Sequence, residues 1–516
     1  MINMKKLLSF LLITVFVLVL TACGGGGGGG GGVSSSPSSG SPAGNAVSYS
    51  PAYTYNVPAD KTSSIAYLIR SDFSKRSLPT PGATSYASVA EVMPDSQPVV
   101  KRFAQNMDEW HSQKVAPSFN DRILASVATT GYQIGNEKDF YVINFNDNST
   151  TTKTFVLKKD QTNVPNVPGQ PPSRCRVWYD KNDPNGLTDS QLETIRTKLD
   201  KMFDVETALC GSMVPTCNWD NIISINTETK LDIVVYAMTN NYLGYFSPRD
   251  FFTSGENSVF SNKAPIIYIS STDTSSNMYS TVSHEFDHLL NFVNKEINHD
   301  KDEETWYTEL LSNTIEEVLE NFNEVSAADS IRNQRLPWFL ARYNFGLFWD
   351  QNDIYGSSYS NVYAFGAWLV RNYGGPELFH LIATNAYVNE ESIVRAVNAL
   401  NGTNETFASL RLKFAESLIY TDEGCGKPNF NTSIYDINFF PGVTFYLPTI
   451  DLYDYTSLSN YSGPVIFNPQ YHFSDLYSGD AGKVLPYGFE IQNLGTGLSQ
   501  IEIPSNYYGD FTVVFK

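Results

Sequence analysis

The sequence predicts an α+β protein, with a mixed β-sheet and a mainly helical region flanked by β-rich modules at both ends. Three observations support this fold class. Residues 139–145 and 151–158 alternate apolar and polar side chains around a turn, as a β-hairpin does. The apolar runs at 231–237 and 265–269 indicate two further strands. Residues from about 275 to 420 have mainly helical periodicity.

The elements between these regions can be placed in order. The prolines and the glycine between 165 and 172 indicate a linker, and residues 176–179 form a short predicted strand. Thr188 and Gln191 match a capping box at the start of a helix. One face of that helix carries the apolar residues Leu192, Ile195, Leu199, Met202 and Phe203. The Gly-Gly-Pro segment at 374–376 ends a later helix.

The composition excludes some classes of protein. The chain has 516 residues, a formal net charge of −19 and a pI near 4.7. Such an acidic protein is a poor partner for nucleic acid, because phosphate binding needs positive charge. Hydrophobic residues make up 41% and charged residues only 17%, which excludes a highly charged disordered polymer. The length suits roughly two to four domains of ordinary size.

The N-terminus has the pattern of an export signal. Lys5 and Lys6 precede an apolar run at 7–20 that is too short to span a bilayer comfortably. The run ends in Leu-Thr-Ala-Cys at positions 20–23, which resembles the lipobox of bacterial lipoproteins. This resemblance implies that a signal peptide, residues 1–22, is removed and that Cys23 is lipidated, which would give stable membrane anchoring.

A flexible tether follows the lipidation site. Residues 23–48 contain nine consecutive glycines and then a stretch rich in Ser, Pro and Gly, with almost no side chains to bury. We therefore expect an exported protein that its lipid holds at the bacterial cell surface or in the outer membrane.

The remaining cysteines are compatible with disulfides. Once Cys23 is assigned to the lipid, an even number is left, and disulfides are common in exported proteins. Cys210 and Cys217 are close in sequence and form the simplest predicted pair, with Cys175 and Cys425 as the others. Three pairings are open, and none of these cysteines has the spacing of a metal site.

The segment His284-Glu285-Phe286-Asp287-His288 is the most informative part of the chain. On a helix, His284 and His288 share one face and can bind one ion. Glu285 is then placed to reach a water on that ion. This is the H-E-x-x-H pattern of zinc peptidases. The apolar residues Met278, Val282, Phe286, Leu289, Leu290 and Val293 predict a buried helix around it.

A catalytic zinc site needs a third protein ligand. The metzincin pattern would place Gly and His where this chain has Asn291 and Asn294, so that class is excluded. Glu309, followed by Leu-Leu-Ser-Asn, resembles the second-helix glutamate of thermolysin-like enzymes and is the predicted third ligand. Asp353 is a weaker alternative, because Asp-Ile-Tyr-Gly resembles only part of the aspzincin motif.

The residues after Glu309 bear on how the histidines are oriented. Asn313 stands where the thermolysin-like pattern has an Asp that accepts a hydrogen bond from a ligand histidine. Its carbonyl oxygen can accept that bond without carrying charge. Glu316 and Glu317 lie on roughly the same side of the predicted helix and are the alternatives.

Taken together, these segments resemble the hyicolysin family of zinc metallopeptidases over about residues 130–420. The resemblance rests on residues 176–179, 244–246, the strand ending near 269, 284–292, 305–309 and 363–374. It implies a gluzincin with a zincin-type catalytic domain, consisting of a mixed sheet, an active-site helix and a mainly helical C-terminal subdomain. We place this domain at 169–424, after an N-terminal β-rich domain at 49–168 and before a C-terminal β-sandwich-like domain at 425–516.

The resemblance implies a secreted zinc endopeptidase with one catalytic Zn²⁺. Zinc would lower the pKa of its bound water to about 7, and Glu285 would accept the proton and pass it to the leaving amine. Tyr363 is the predicted donor to the tetrahedral intermediate, with Tyr359 and His380 as alternatives. His111, His299 and His472 lie in polar contexts without such a pattern.

Other functions stay open at this point. An exopeptidase would keep the same site, and a lipid-anchored adhesin could use a zincin scaffold without activity, although the intact Glu285 argues against that. The predicted partners are a protein or peptide substrate and, through Cys23, the membrane. We expect a monomer. A structural Ca²⁺ ion is compatible with the sequence, but no motif supports it.

Overall fold

The computed structural model describes residues 53–73, 131–147, 149–160, 173–217, 219–240, 242–347, 357–421, 426–455, 487–503 and 510–516. All of them belong to one structural unit, Pro51–Lys516. Several predictions fall outside the described residues, namely the signal peptide 1–22, the tether 23–48, Cys23, His111, Asp353, Cys425 and His472.

The described elements are numbered here in chain order. The strands are β1 (Tyr53–Asn56), β2 (Ala66–Asp72), β3 (Glu137–Asn144), β4 (Ser149–Asp160), β5 (Cys175–Asp180), β6 (Leu231–Tyr236), β7 (Gly244–Phe246), β8 (Ile266–Ser270), β9 (Ile434–Asp436), β10 (Phe445–Leu447), β11 (Gly488–Gly495), β12 (Gln500–Ile503) and β13 (Asp510–Phe515). The helices are α1 (Asp189–Cys210), α2 (Asn277–Asn291), α3 (Thr305–Val318), α4 (Ile331–Ala341), α5 (Ser357–Tyr373), α6 (Gly375–Thr384), α7 (Asn389–Asn401) and α8 (Phe407–Ser417).

The largest sheet has six strands in the order β3-β4-β5-β6-β8-β7. The β5–β6 and β6–β8 pairs are parallel, whereas β3–β4, β4–β5 and β7–β8 are antiparallel. The predicted α+β class with a mixed sheet is therefore confirmed. The β3–β4 hairpin also matches its prediction from alternating residues.

The two faces of this sheet bury different residues. Along β5 and β8, Val177 and Ile267 face the main core together with the apolar sides of α1 and α2. Their neighbours Trp178 and Tyr268 face a second, aromatic core. This alternation follows from the two-residue period of a strand. The sheet thereby supports the helices that carry the candidate site.

The local signals in the helical region are confirmed. The capping box at Thr188 and Gln191 is formed, with the Gln191 amide N–H donating to Thr188 Oγ1 at 3.2 Å. The predicted apolar face of α1 is buried. Helix α5 ends at Tyr373, directly before the Gly-Gly-Pro segment. A six-residue π-helical turn at Phe292–Ile297 continues α2 towards the loop before α3.

The predicted domain boundaries differ from the strand pairing. The boundary at 168/169 would cut the six-stranded sheet, because β4 pairs with β5. At the other end of the chain, β2 lies between β11 and β13, and β1 pairs with β12. Strands from the predicted N-terminal and C-terminal modules therefore pair with each other, although they are far apart in sequence.

The core also joins the terminal strands to the middle of the chain. Ile69 on β2 and Phe489 on β11 are buried in the same apolar core as Leu289 on α2. The strands from the two ends of the chain therefore pack with the central helices and do not form separate modules.

The predicted disulfides are not found among the described cysteines. Cys175, Cys210 and Cys217 are all free. Cys210 is buried at the end of α1, whereas Cys217 is exposed and its Sγ lies 3.3 Å from the carbonyl oxygen of Asn298. The predicted Cys210–Cys217 pair is therefore wrong, because the two thiols have different surroundings despite their closeness in sequence.

None of the described helices combines the length and the apolar character that crossing a bilayer requires.

Candidate metal centre

Helix α2 positions the first three residues of the site. Its apolar side chains Val282, Phe286 and Leu289 are buried in the main core, which fixes the rotation of the helix. His284 and His288 are four residues apart and therefore project from one face. Their Nε2 atoms lie 3.2 Å apart. The two imidazoles thus point towards one common position.

Helix α3 supplies the third residue, as the sequence predicts. Glu309 Oε2 lies 3.4 Å from His284 Nε2, and Glu309 Oε1 lies 3.4 Å from His288 Nε2. One atom from each of the three residues can be chosen so that all lie within 4.8 Å of one another. No other such group of His, Cys, Asp and Glu occurs in the part of the chain that the structure describes.

The centre is almost closed to solvent. His284 and Glu309 are completely buried, while the side chain of His288 keeps 12% of its surface exposed. Burial by itself would raise the pKa of Glu309, yet the charges and hydrogen bonds of His288 and His284 lower it to about 2. Glu309 is therefore an ionised carboxylate in the interior, and His288 is the member of the group that contacts solvent.

Glu285 lies on α2 against the edge strand of the sheet. Its side chain is completely buried. Gly244 in β7 packs directly on it, since a Cβ at Gly244 would lie 2.9 Å from Glu285 Cγ and 2.8 Å from Thr281 Cγ2. A side chain at position 244 would push β7 away from α2. The glycine therefore lets the strand approach the site closely.

The hydrogen bonds behind the histidines differ from the expectation at Asn313. The Nδ2 group of Asn313 donates to the carboxylate of Glu309 at 3.2 Å and to its backbone carbonyl at 2.7 Å. The partner of His284 is Glu316, whose Oε1 lies 2.8 Å from His284 Nδ1. Glu316 is seven residues, or two helical turns, after Glu309. This spacing is the sequence signal that could have favoured it over Asn313.

The second histidine has a different partner that the sequence did not reveal. Ser312 Oγ lies 3.1 Å from His288 Nδ1 and donates to Asp287 Oδ2 at 2.7 Å. Ser312 and Glu309 lie three residues apart on α3 and so share a face. A serine at this spacing carries no specific signal, because most helical serines do not contact a histidine.

The hydroxyl of Tyr363, the predicted donor to the tetrahedral intermediate, contacts an acid of α3 and not the histidines. The hydroxyl donates to Glu317 Oε2 at 3.0 Å, and Arg371 Nη1 donates to the same oxygen at 3.1 Å. Glu317 lies eight residues after Glu309, about 12 Å along the helix axis. Tyr363 therefore belongs to a buried ion-pair cluster around Glu317, separate from the candidate metal centre.

The two alternatives to Tyr363 have other surroundings as well. The ring of Tyr359 lies under the guanidinium group of Arg335, at 4.7 Å from its centroid. His380 has its Nδ1 3.2 Å from the carbonyl oxygen of Leu209. His299, in the loop between α2 and α3, is exposed. None of these contacts connects the three side chains to His284 or His288.

The donor set suits a divalent transition metal. Two imidazole nitrogens and one carboxylate form a common catalytic ligand set for Zn²⁺, which leaves a coordination position open for water. The contacts to the Glu309 carboxylate among the described residues come from His284, His288 and Asn313, none of which carries a permanent positive charge. A bound cation would compensate this buried carboxylate, so the residues present fit the ion.

Comparison with known proteins does not add a family. No protein-family model matches the chain, and no curated protein matches it either. The resemblance to the hyicolysin family therefore stays a prediction from the sequence motifs.

Proposed function

We propose that this protein is a zinc-dependent endopeptidase of the gluzincin type, resembling the hyicolysin family, and anchored to the bacterial cell surface by a lipid on Cys23. The observation that carries the proposal is the convergence of His284, His288 and Glu309 from two consecutive helices. The identity of the ligands supports zinc, and Glu285 supports hydrolysis, because it directly follows the first ligand histidine.

The fold supports this proposal in one further respect. The parallel strand β8 is followed in the chain by α2, and the antiparallel edge strand β7 lies beside Glu285. A mixed sheet with an antiparallel edge strand next to the metal-binding helix is compatible with a zincin-type catalytic domain. The domain would include residues on both sides of the boundaries at 168 and 424, because strand pairing and the shared core cross them.

Each residue has a defined part in the proposed reaction. His284, His288 and Glu309 would hold the zinc ion, which when bound activates water and polarises the peptide carbonyl. Glu285 would accept a proton from the attacking water and deliver it to the nitrogen of the leaving amine. Asn313 keeps the Glu309 carboxylate oriented through its amide. The described residues do not assign a donor to the carbonyl oxygen.

The first experiment measures the metal and the activity of the same preparation. We expect about one zinc per chain by metal analysis, cleavage of casein, and loss of cleavage with 1,10-phenanthroline that added zinc restores. Peptides blocked at both termini separate an endopeptidase from an exopeptidase, because only an endopeptidase cleaves them internally. Bound zinc without cleavage of any peptide would contradict the proposal and favour a binding protein on the same scaffold.

The second experiment removes the proposed general base. Glu285→Gln should keep zinc and lose activity by roughly 10²–10⁴-fold, because the amide cannot accept the proton. Glu206→Gln is the matched control, since Glu206 is equally buried but lies on α1 outside the ligand group. Equal loss of activity in both variants would show a general structural defect and contradict a catalytic role of Glu285.

The anchoring at Cys23 needs its own test. Cys23→Ser should release the protein from the membrane fraction into the soluble fraction, because the thiol that carries the lipid is absent. Retention of the variant in the membrane would contradict lipidation at this position, without affecting the proposal for the metal centre.

A further inference from the structure

The two ligand histidines are held by different kinds of side chain. Each ring has its Nε2 towards Glu309 and its Nδ1 towards a residue of α3. For His284 this residue is Glu316, a carboxylate, and for His288 it is Ser312, a hydroxyl. A metal on Nε2 requires the lone pair of that nitrogen, so Nδ1 carries the proton and donates to these oxygens.

Glu316 is fixed on both of its oxygens. Oε1 accepts from His284 Nδ1, and Oε2 accepts from Ser280 Oγ at 2.7 Å. Ser280 lies one helical turn before His284 on α2. The carboxylate of Glu316 is enclosed, with only 1% of its side chain exposed. Helix α2 therefore holds this acid at two points, and the acid in turn holds the ring of His284.

Ser312 gives His288 a weaker support. Its hydroxyl proton is directed to Asp287 Oδ2, which leaves an oxygen lone pair to accept from His288 Nδ1. This contact is between neutral groups and is 3.1 Å long, against 2.8 Å at His284. Hydrogen bonds to an ionised acceptor are roughly twice as strong as neutral ones. His288 is also the one of the three side chains that keeps part of its surface, 12%, in contact with solvent.

We propose that Glu316 is the main positioning residue of the metal centre, and that Ser312 has the lesser part. The inference rests on the proposed zinc function. It assigns to position 316 the part that the thermolysin-like pattern gives to position 313. Glu317 is excluded from it, since its carboxylate binds Arg371 and Tyr363.

Adjacent glutamates of α3 provide a matched test. Zinc affinity is measured by competition with a chelator for wild-type protein, Glu316→Gln and Glu317→Gln. Glu316→Gln should weaken zinc binding roughly 10- to 100-fold, as loss of an outer-sphere partner does. Glu317→Gln should leave the affinity unchanged while it lowers the melting temperature. Equal affinities of wild type and Glu316→Gln would overturn the inference.

Two milder variants and a spectroscopic readout separate positioning from folding. Ser312→Ala should weaken zinc binding by roughly three- to tenfold, which is less than the effect of Glu316→Gln. Ser280→Ala should also weaken zinc binding, because it removes the hydrogen bond that holds Glu316 Oε2. With Co²⁺ in place of zinc, Glu316→Gln should shift the visible absorption bands, which report ligand geometry. An unchanged Co²⁺ spectrum, or a larger effect of Ser312→Ala, would overturn the order proposed here.

The outcome for wild type decides which proposal fails. If wild-type protein binds no zinc, the proposed function fails, and the inference about Glu316 fails with it. If wild-type protein binds zinc and the Glu316 variants bind it equally well, only the inference about Glu316 fails.

Discussion

Glu309 and Glu317 are two of the buried carboxylates of helix α3, and they have similar burial but different partners. Glu309 contacts His284 and His288, whereas Glu317 contacts Arg371, Arg332 and Tyr363. Burial raises the pKa of both acids, but the partners outweigh it, so both pKa values are lowered. The guanidinium groups give Glu317 a permanent counter-charge, whereas histidines do so only when protonated.

This difference separates a structural ion-pair cluster from the proposed metal site. The charge of Glu317 is already compensated within the protein, so its cluster needs no ion. The charge of Glu309 lies in an equally buried place beside two histidines, which are charged only when protonated, and an added cation would compensate it. Glu206 on α1 is a third case, since neither of its oxygens has a hydrogen-bond partner among the described residues.

Breaking the Glu317 cluster should have the largest effect on stability. Glu317→Gln leaves the buried guanidinium of Arg371 without its ionic partner, so the free energy of unfolding should fall by about 3–5 kcal/mol. Chemical denaturation measures this change, and zinc affinity should remain that of wild type. A variant that loses zinc without losing stability would place Glu317 in the metal centre and reverse the comparison.

Removal of the carboxylate at Glu309 should have the opposite pattern. Glu309→Ala should weaken zinc binding by a hundredfold or more, about 3 kcal/mol, because one of three protein ligands is lost. Chelator competition measures the affinity. Without metal, the free energy of unfolding of the variant should lie within about 2 kcal/mol of the wild-type value. Full retention of zinc would show that another residue is the third ligand.

Glu206 should lower the free energy of unfolding at neutral pH, compared with a neutral residue at the same position. Burial raises its pKa far above the usual value, and Asp287 raises it further. The native state therefore binds the proton more tightly than the unfolded state, and stability falls as pH rises from about 4 towards the native pKa. Glu206→Gln should raise the free energy of unfolding at pH 7 by about 1–3 kcal/mol.

The pH dependence checks the cause of this gain. The difference in stability between Glu206→Gln and wild type should be small at about pH 4 and grow towards about pH 7, because only the wild-type residue ionises on unfolding. A difference that is constant across this range would mean that packing, and not the buried charge, sets the effect.

The smallest effect is expected at Tyr363. Tyr363→Phe removes one hydrogen bond to Glu317, while Arg371 and Arg332 remain, so stability should fall by about 1–2 kcal/mol. The kcat for peptide cleavage should not change, because the hydroxyl binds Glu317 and not the ligand group. A large loss of kcat at unchanged stability would restore Tyr363 as a donor at the reaction centre.

Local patterns in the sequence predicted much of the fold and the centre of the site. The i, i+4 spacing of His284 and His288 predicted a shared helix face. The third member, Glu309, was predicted from the resemblance of its segment to thermolysin-like enzymes. Five of the six strands of the largest sheet, all except β7, and the capping box of α1 also followed from local signals. These features depend on neighbours within a few residues, so a local pattern is enough to predict them.

Other features depended on packing between distant parts of the chain. Tyr363 and Asn313 have side chains that suit several roles, and only the packing of α3 against α2 and α5 shows which partner each one has. The strands β2 and β11 lie more than 400 residues apart in sequence, so no local pattern indicated that they pair. For the same reason the predicted domain boundaries did not match the sheets.

The sequence by itself determined the types of residue available to the site: two histidines and a glutamate on one helix, and an acidic second helix. Only the tertiary structure decided which partner each acid of that second helix contacts. Successive helical residues are turned by about 100°, so Glu316 reaches His284 while Glu317 reaches Arg371. That division depends on the rotation of α3 in the core, which is set by contacts along its whole length.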